Sequence, residues 1–126
     1  MAATPEIWHN PRCSKSRAAT THLDGIGAEY RVRRYLDDPP TAAELRAVLA
    51  RLGREPWEIT RTGEAVAKEL GLKDWPRTDE ARERWITALA EHPVLIERPI
   101  VLTADGGAVV ARTPEALARL GSAAGR

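Results

Sequence analysis

The stretch Ile7-Trp8-His9-Asn10-Pro11-Arg12-Cys13-Ser14-Lys15-Ser16-Arg17 runs from an apolar pair, through the turn signal Asn10-Pro11, into polar residues with helical potential. The pattern predicts a short strand over residues 6–9 and a helix over 14–26, with Ser14 as its cap and Gly25 and Gly27 marking its end. Cys13, the only cysteine in the chain, then stands where a strand becomes a helix. Unpaired N–H groups gather at such a junction. Together with the positive end of the helix dipole and the charges of Arg12, Lys15 and Arg17, they favour thiolate over thiol. The same donors suit an oxyanion.

A lone cysteine is often no more than a small buried hydrophobe. A packing cysteine is expected among apolar residues, however, and the neighbours here are Arg12, Ser14 and Lys15, which favours a reactive sulfur. Cys13-Ser14-Lys15-Ser16 is also C-x-x-S, a dithiol pattern without its second sulfur. Such a site forms mixed disulfides with an outside thiol and has no internal thiol to resolve them. His9 and Ser16 lie where a hydrogen bond or a charge can reach the sulfur, and Asn10 belongs to the same supporting set.

Outward from this β-α start, residues 29–35 alternate β-formers with arginines, the period of a second strand with one wet face. Thr41 with Glu44 forms a capping box for a helix that carries Leu45, Val48, Leu49 and Leu52 and closes at Gly53. Residues 54–60 read as a loop, and Arg61 falls at or just before a short helix that Gly71 stops. A cation is disfavoured at that helix end, so Arg61 needs an anion or a carboxylate nearby. A further helix begins at Thr78, presents Trp85, Ile86 and Leu89 inward, and ends at His92-Pro93. The most apolar stretch, 94–103, predicts a buried strand entered through Arg98-Pro99, with a cis bond as one way of placing the proline. Asp105-Gly106-Gly107 turns the chain back into an antiparallel strand over 108–111, 114–120 forms a last helix, and the tail 121–126 frays.

The order β-α-β, three helices, then β-β-α describes an α/β, thioredoxin-like fold. It has a central four-stranded mixed sheet, flanking helices and a helical insertion, about 37–93, between the second and third strands of a single domain over 1–126. That layout makes Cys13 and Arg98 spatial neighbours. A formal net charge of +1 with 29% charged residues offers no bulk attraction to nucleic acid or to a membrane. The single cysteine, an N-terminus without an export pattern, and the lack of a bilayer-length apolar run point to the cytoplasm. One cysteine and scattered histidines do not make a metal site, and no bound cofactor is expected.

Three blocks resemble the glutaredoxin-linked arsenate reductase family in order and spacing: residues 9–17, the Arg61-Thr62-Gly63-Glu64 start with its continuation to 72, and residues 92–101. The resemblance implies that Cys13 is the nucleophile that attacks arsenate and that Arg61, Arg98 and Arg112 bind the oxyanion. It further implies that glutathione or another low-molecular-weight thiol displaces oxygen and that a glutaredoxin-like partner reduces the adduct, releasing arsenite. Guanidinium forks suit the charged oxygens of such an anion. Arg12 and Lys15 depart from the best-studied reductases, whose residues beside the nucleophile are small or uncharged. Two alternatives share the fold: a transcription-regulator-like relative that binds RNA polymerase, and a monothiol-glutaredoxin-like thiol carrier. The first gives the three arginines no purpose, and the second gives no reason for Arg61 and Arg112. A phosphatase-like loop fails on spacing, because Ala19 stands where C-x5-R needs its arginine.

Overall fold

A computed structural model describes residues 4–120. They fall into two compact units, one made of the residues up to Asp38 together with those from Arg98 onward, the other of Pro39–Glu97.

The first unit is built on a four-stranded sheet: β1 (Glu6–Trp8), β2 (Arg31–Arg33), β3 (Ile100–Leu102) and β4 (Ala108–Val110), in the order β2-β1-β3-β4. β1 is parallel to β2 and antiparallel to β3, which is antiparallel to β4, giving the mixed sheet expected from the sequence. Parallel neighbours need a crossover, and helix α1 (Ser14–Gly25) supplies it. Ile7 sits opposite Val32 on one side and Val101 on the other, and Val101 sits opposite Val109. Ile7, Val101 and Val109 pack with Ala19 and Leu23 of α1 in one buried cluster. Each such aliphatic side chain contributes roughly 1.5–3 kcal/mol by its burial. This cluster fixes the end of β1 against the start of α1, and so the place of the Cys13 loop.

Two strands are shorter than their apolar patterns suggest. Of residues 29–35 only Arg31–Arg33 pair, and Val32 is 51% exposed, because β2 is an edge strand with β1 as its one neighbour. Of residues 94–103 only Ile100–Leu102 form β3, while Pro93–Leu95 make a 3-10 turn and Ile96 makes an isolated bridge to Thr60. Proline explains both breaks. Pro93 suits the first position of a helical turn, and Pro99 has no N–H to offer a ladder. Pro99 still accepts a bond from the Ala111 N–H at 2.9 Å, and the Arg98–Pro99 peptide is cis. The last helix, α5, is Pro114–Ala118, shorter than the span 114–120 expected for it, and the tail 121–126 lies outside the described residues.

The second unit carries α2 (Ala42–Leu52), α3 (Ala65–Leu70) and α4 (Arg82–Glu91). Thr41 and Glu44 form the capping box read from the sequence, with bonds of 3.0 and 3.1 Å. α4 begins at Arg82 rather than at Thr78, because the N–H groups of Ala81 and Arg82 bond the Thr78 and Asp79 carbonyls in tight turns first. The expected loop 54–60 contains a 3-10 turn, Pro56–Ile59, started by a proline and closed by a Glu55–Glu58 capping box. Trp85 is the hub of this unit, with the rings of Trp57 and Trp75 edge-on at 6.1 and 5.4 Å and its own N–H bonded to the Pro76 carbonyl. Among the described residues no helix is long and apolar enough to cross a membrane.

Candidate active site

Asn10 organises the loop that delivers the cysteine. Its carbonyl accepts the Cys13 N–H at 3.0 Å, its side-chain Oδ1 accepts the Arg12 N–H at 3.0 Å, and its own N–H donates to Ser16 Oγ at 3.2 Å. The Arg17 guanidinium donates back to the Pro11 carbonyl at 2.9 Å and closes the turn from outside. Ser16 is fully buried, so the loop is pinned to the first turn of α1 from within. Cys13 takes the N-cap position with extended backbone, φ −96° and ψ 124°, displacing Ser14 from the role its sequence position suggested. A capping residue takes an extended conformation, which Cys13 has, while Ser14 is already the first helical residue.

Cys13 is half-buried and free. Burial alone pushes its thiol up. That effect is outweighed by the Ser16 N–H, a hydrogen bond from the Arg98 guanidinium, the Lys15 N–H and the charge of Arg98, which together bring the pKa down to about 7. The sulfur closes no capping hydrogen bond of regular geometry, yet the two amides are directed at it and favour the ionised form. The side-chain charges of Arg12, Lys15 and Arg17 are not among these leading influences, contrary to the reading of the sequence. Exposed cations are screened by water, whereas a hydrogen-bonded guanidinium is not. Alkylation of Cys13 should therefore follow pH with an inflection near 7; an inflection at the ordinary thiol value of about 8.5 would contradict it. Folding lowers this pKa, so the stability that Cys13 contributes is complete above about 8.5. It is lost as pH falls through about 7.

Arg98 and Arg112 come together from the two sides of β3 and β4. Arg112 Nη1 donates to the Arg98 carbonyl at 2.6 Å, and the Arg98 side chain reaches the sulfur. Cys13, Arg98 and Arg112 thus share one neighbourhood in the first unit; the topology implied the closeness of Cys13 and Arg98. His9 is fixed by its N–H to the Arg33 carbonyl at 2.8 Å. Burial first, then the charges of Arg34 and Arg17, lower its pKa, so its imidazole is neutral at neutral pH, and its buried Nδ1 has no hydrogen-bond partner among the described residues. His9 is therefore available for hydrogen bonding and not as a charge.

Arg61 belongs to the second unit. Its Nε bonds Glu64 at 3.1 Å and its Nη1 bonds Glu97 at 3.2 Å, while its N–H donates to the Leu95 carbonyl at 2.7 Å. α3 starts at Ala65 with Glu64 as its N-cap, so Arg61 stands three residues before the cap and not at the helix start; the carboxylates it was expected to need are two. Glu64 lies only three residues on in the chain, whereas Glu97 is brought in by the long-range pairing of Thr60 with Ile96. Thr60, Arg61, Thr62, Gly63, Glu64 and Glu97 line a polar cavity of about 410 Å³.

Residues 8–120 match the model of the ArsC family. Over 112 residues the chain is 62% identical to a Streptomyces viridochromogenes protein described as an uncharacterized protein in the glnII region, covering 89% of this chain and 94% of that one. Over 111 residues it is 45% identical to the arsenate reductase of Neisseria meningitidis serogroup B, covering 87% of this chain and 92% of that one. An arsenate reductase structure from Vibrio cholerae superimposes with a TM-score of 0.78 at 37% identity, covering 95% of this chain and 97% of that one.

Proposed function

The chain belongs to the ArsC family, and from that premise we propose that it is an arsenate reductase whose nucleophile is Cys13. The supporting observation is the sulfur itself: a thiol with a pKa of about 7, at a helix N-terminus, hydrogen-bonded by Arg98, with Arg112 tied to the Arg98 carbonyl. In this reading the thiolate attacks arsenic and one arsenate oxygen leaves as water. A low-molecular-weight thiol such as glutathione displaces a second oxygen. A third sulfur, from a glutaredoxin-like protein, then attacks the small thiol's sulfur, forming a disulfide and leaving its electron pair on arsenic, which falls from As(V) to As(III). Hydrolysis returns arsenite and the Cys13 thiolate.

Each residue has a part that its surroundings support. Arg98 and Arg112 bind the oxyanion, and Arg98 also keeps the sulfur ionised before attack. Asn10 and Ser16 hold the loop in the shape that aims two amides at the sulfur. The neutral His9 is suited to donate or accept a proton as oxygen departs. Arg61, the third arginine that the family resemblance pairs with an oxyanion, is held in its own unit by Glu64 and Glu97. With one cysteine, the remaining sulfurs come from outside, which suits a reducing compartment.

The test is arsenate-dependent oxidation of a reduced nicotinamide cofactor in a coupled system of glutathione, glutaredoxin and glutathione reductase. The expected result is turnover that needs arsenate and arsenite as product. Absence of arsenite with every thiol system supplied would end the assignment.

A further inference from the structure

Several cations beside the nucleophile have no task in the site as described. Arg12 and Lys15 are exposed, and neither side chain has a hydrogen-bond or ion-pair partner among the described residues. Arg17 bonds only the Pro11 carbonyl through its side chain, a contact that holds the loop without neutralising the charge. The first turn of α1 contains no acidic residue. A helix N-terminus disfavours cations and welcomes carboxylates, so the local arrangement is electrostatically uphill as it stands. Arg34, exposed at the end of β2, adds charge strong enough to act on His9, as does Arg17. Three acids of the same unit are engaged elsewhere: Glu6 with Trp8 and Arg31, Asp24 with Tyr30, Asp38 with Arg33. Among the described residues no acid pairs with Arg12 or Lys15, so the rim around Cys13 carries positive charge.

A small oxyanion on the sulfur is served by Arg98, which is half-buried and already bonded there. Exposed, long-stemmed Arg12 and Lys15 are suited instead to a molecule that meets the sulfur from solvent with its negative charge several atoms away. We propose that Arg12 and Lys15 form a docking rim that selects a small thiol bearing carboxylates, or the disulfide of such a thiol, as the co-reactant of Cys13, an inference that rests on Cys13 being the reductase nucleophile. The exchange balances. The Cys13 thiolate attacks one sulfur of the disulfide, a new S–S bond forms, the old one breaks, and the other half leaves as a thiolate with the bonding electron pair. Cys13 is oxidised to a mixed disulfide and the departing sulfur is reduced. A second small thiolate attacking the mixed disulfide reverses the process and docks on the same rim.

Two chromogenic disulfides separate charge from reactivity: the dianionic disulfide of thionitrobenzoate and the neutral dipyridyl disulfide. Rate constants for Cys13 are measured with both, in the native chain and in the double variant Arg12→Gln with Lys15→Gln, at low and at high ionic strength. The native chain is expected to lose about tenfold in rate with the dianion between roughly 0.01 and 1 M salt. The double variant should lose about as much at low salt, while its rate with the neutral reagent moves less than about twofold. The neutral reagent also shows that the variant is folded and its sulfur reactive. Equal responses of the two reagents would overturn the proposal, since a rim acting only through the thiolate fraction slows both alike. A sulfur unreactive to both would overturn it as well. Oxidised glutathione against cystamine, an anionic and a cationic disulfide, repeats the comparison with natural thiols and should favour glutathione. Arsenate enters none of these measurements, so the two failures are told apart: equal responses of the two reagents overturn the rim, and absence of arsenite overturns the reductase assignment on which the rim's role as a co-reactant site rests.

Discussion

Replacing Cys13 by serine should abolish arsenate reduction, a loss of at least about a thousandfold in turnover, and leave the fold intact. A serine hydroxyl does not ionise near neutral pH, so it offers no nucleophile to arsenic and no sulfur for the disulfide step. The structural position, by contrast, suits serine. Residue 13 is the N-cap of α1, where the native sulfur closes no regular capping bond and where serine is among the preferred residues. The ring of bonds around Asn10 uses the Cys13 backbone N–H, which serine retains. Urea denaturation should therefore place the variant within about 1 kcal/mol of the native chain, and the pH-dependent part of stability that follows the thiol should vanish. A variant that keeps more than about a tenth of native turnover would place the nucleophile elsewhere.

The second large effect is expected at Arg98. Removing its guanidinium in Arg98→Ala takes away both a hydrogen bond and a charge from the sulfur, so the thiol pKa rises from about 7 toward its ordinary value. The same change removes the ligand proposed for the oxyanion, and kcat/KM for arsenate should fall about a hundredfold to a thousandfold. Raising the pH restores thiolate but not the anion contact, so only part of that loss is recovered. Arg98→Lys restores charge without the planar fork and should stay well below the native chain. The bond from Arg112 to the Arg98 carbonyl is kept in either variant, because that acceptor is backbone. Alkylation profiles and arsenate kinetics on the same preparations separate the two roles.

Sequence alone went far in the first unit because its signals are local. Asn10-Pro11 marks the turn, the apolar residues of 6–9 and 100–102 mark the inner strands, and Asp105-Gly106-Gly107 marks the hairpin. The proximity of Cys13 and Arg98 followed from topology, since a β-α-β start with a β-β close leaves β3 beside β1. What composition cannot show is which charges matter. Arg12 and Lys15 are the nearest cations in sequence, yet Arg98, eighty-five residues away, is the one bonded to the sulfur. The apolar pattern suggests a longer strand than forms for a related reason: Val94 and Ile96 look like strand residues, but the prolines flanking them decide where ladder bonds can form. Glu97 illustrates the remaining gap. Nothing in Val94-Leu95-Ile96-Glu97 announces a clamp on Arg61; that contact exists because a bridge between Thr60 and Ile96 lays two distant segments side by side.

The central claim is that an ionised Cys13 and Arg98 belong to one anion site. Its most direct test is the alkylation rate of Cys13 at about pH 8, measured against arsenate concentration with no reductant present and repeated in Arg98→Ala. Saturable protection by arsenate in the native chain, weakened or absent in the variant, is the predicted result. Alkylation that proceeds at the same rate at every arsenate concentration would contradict it.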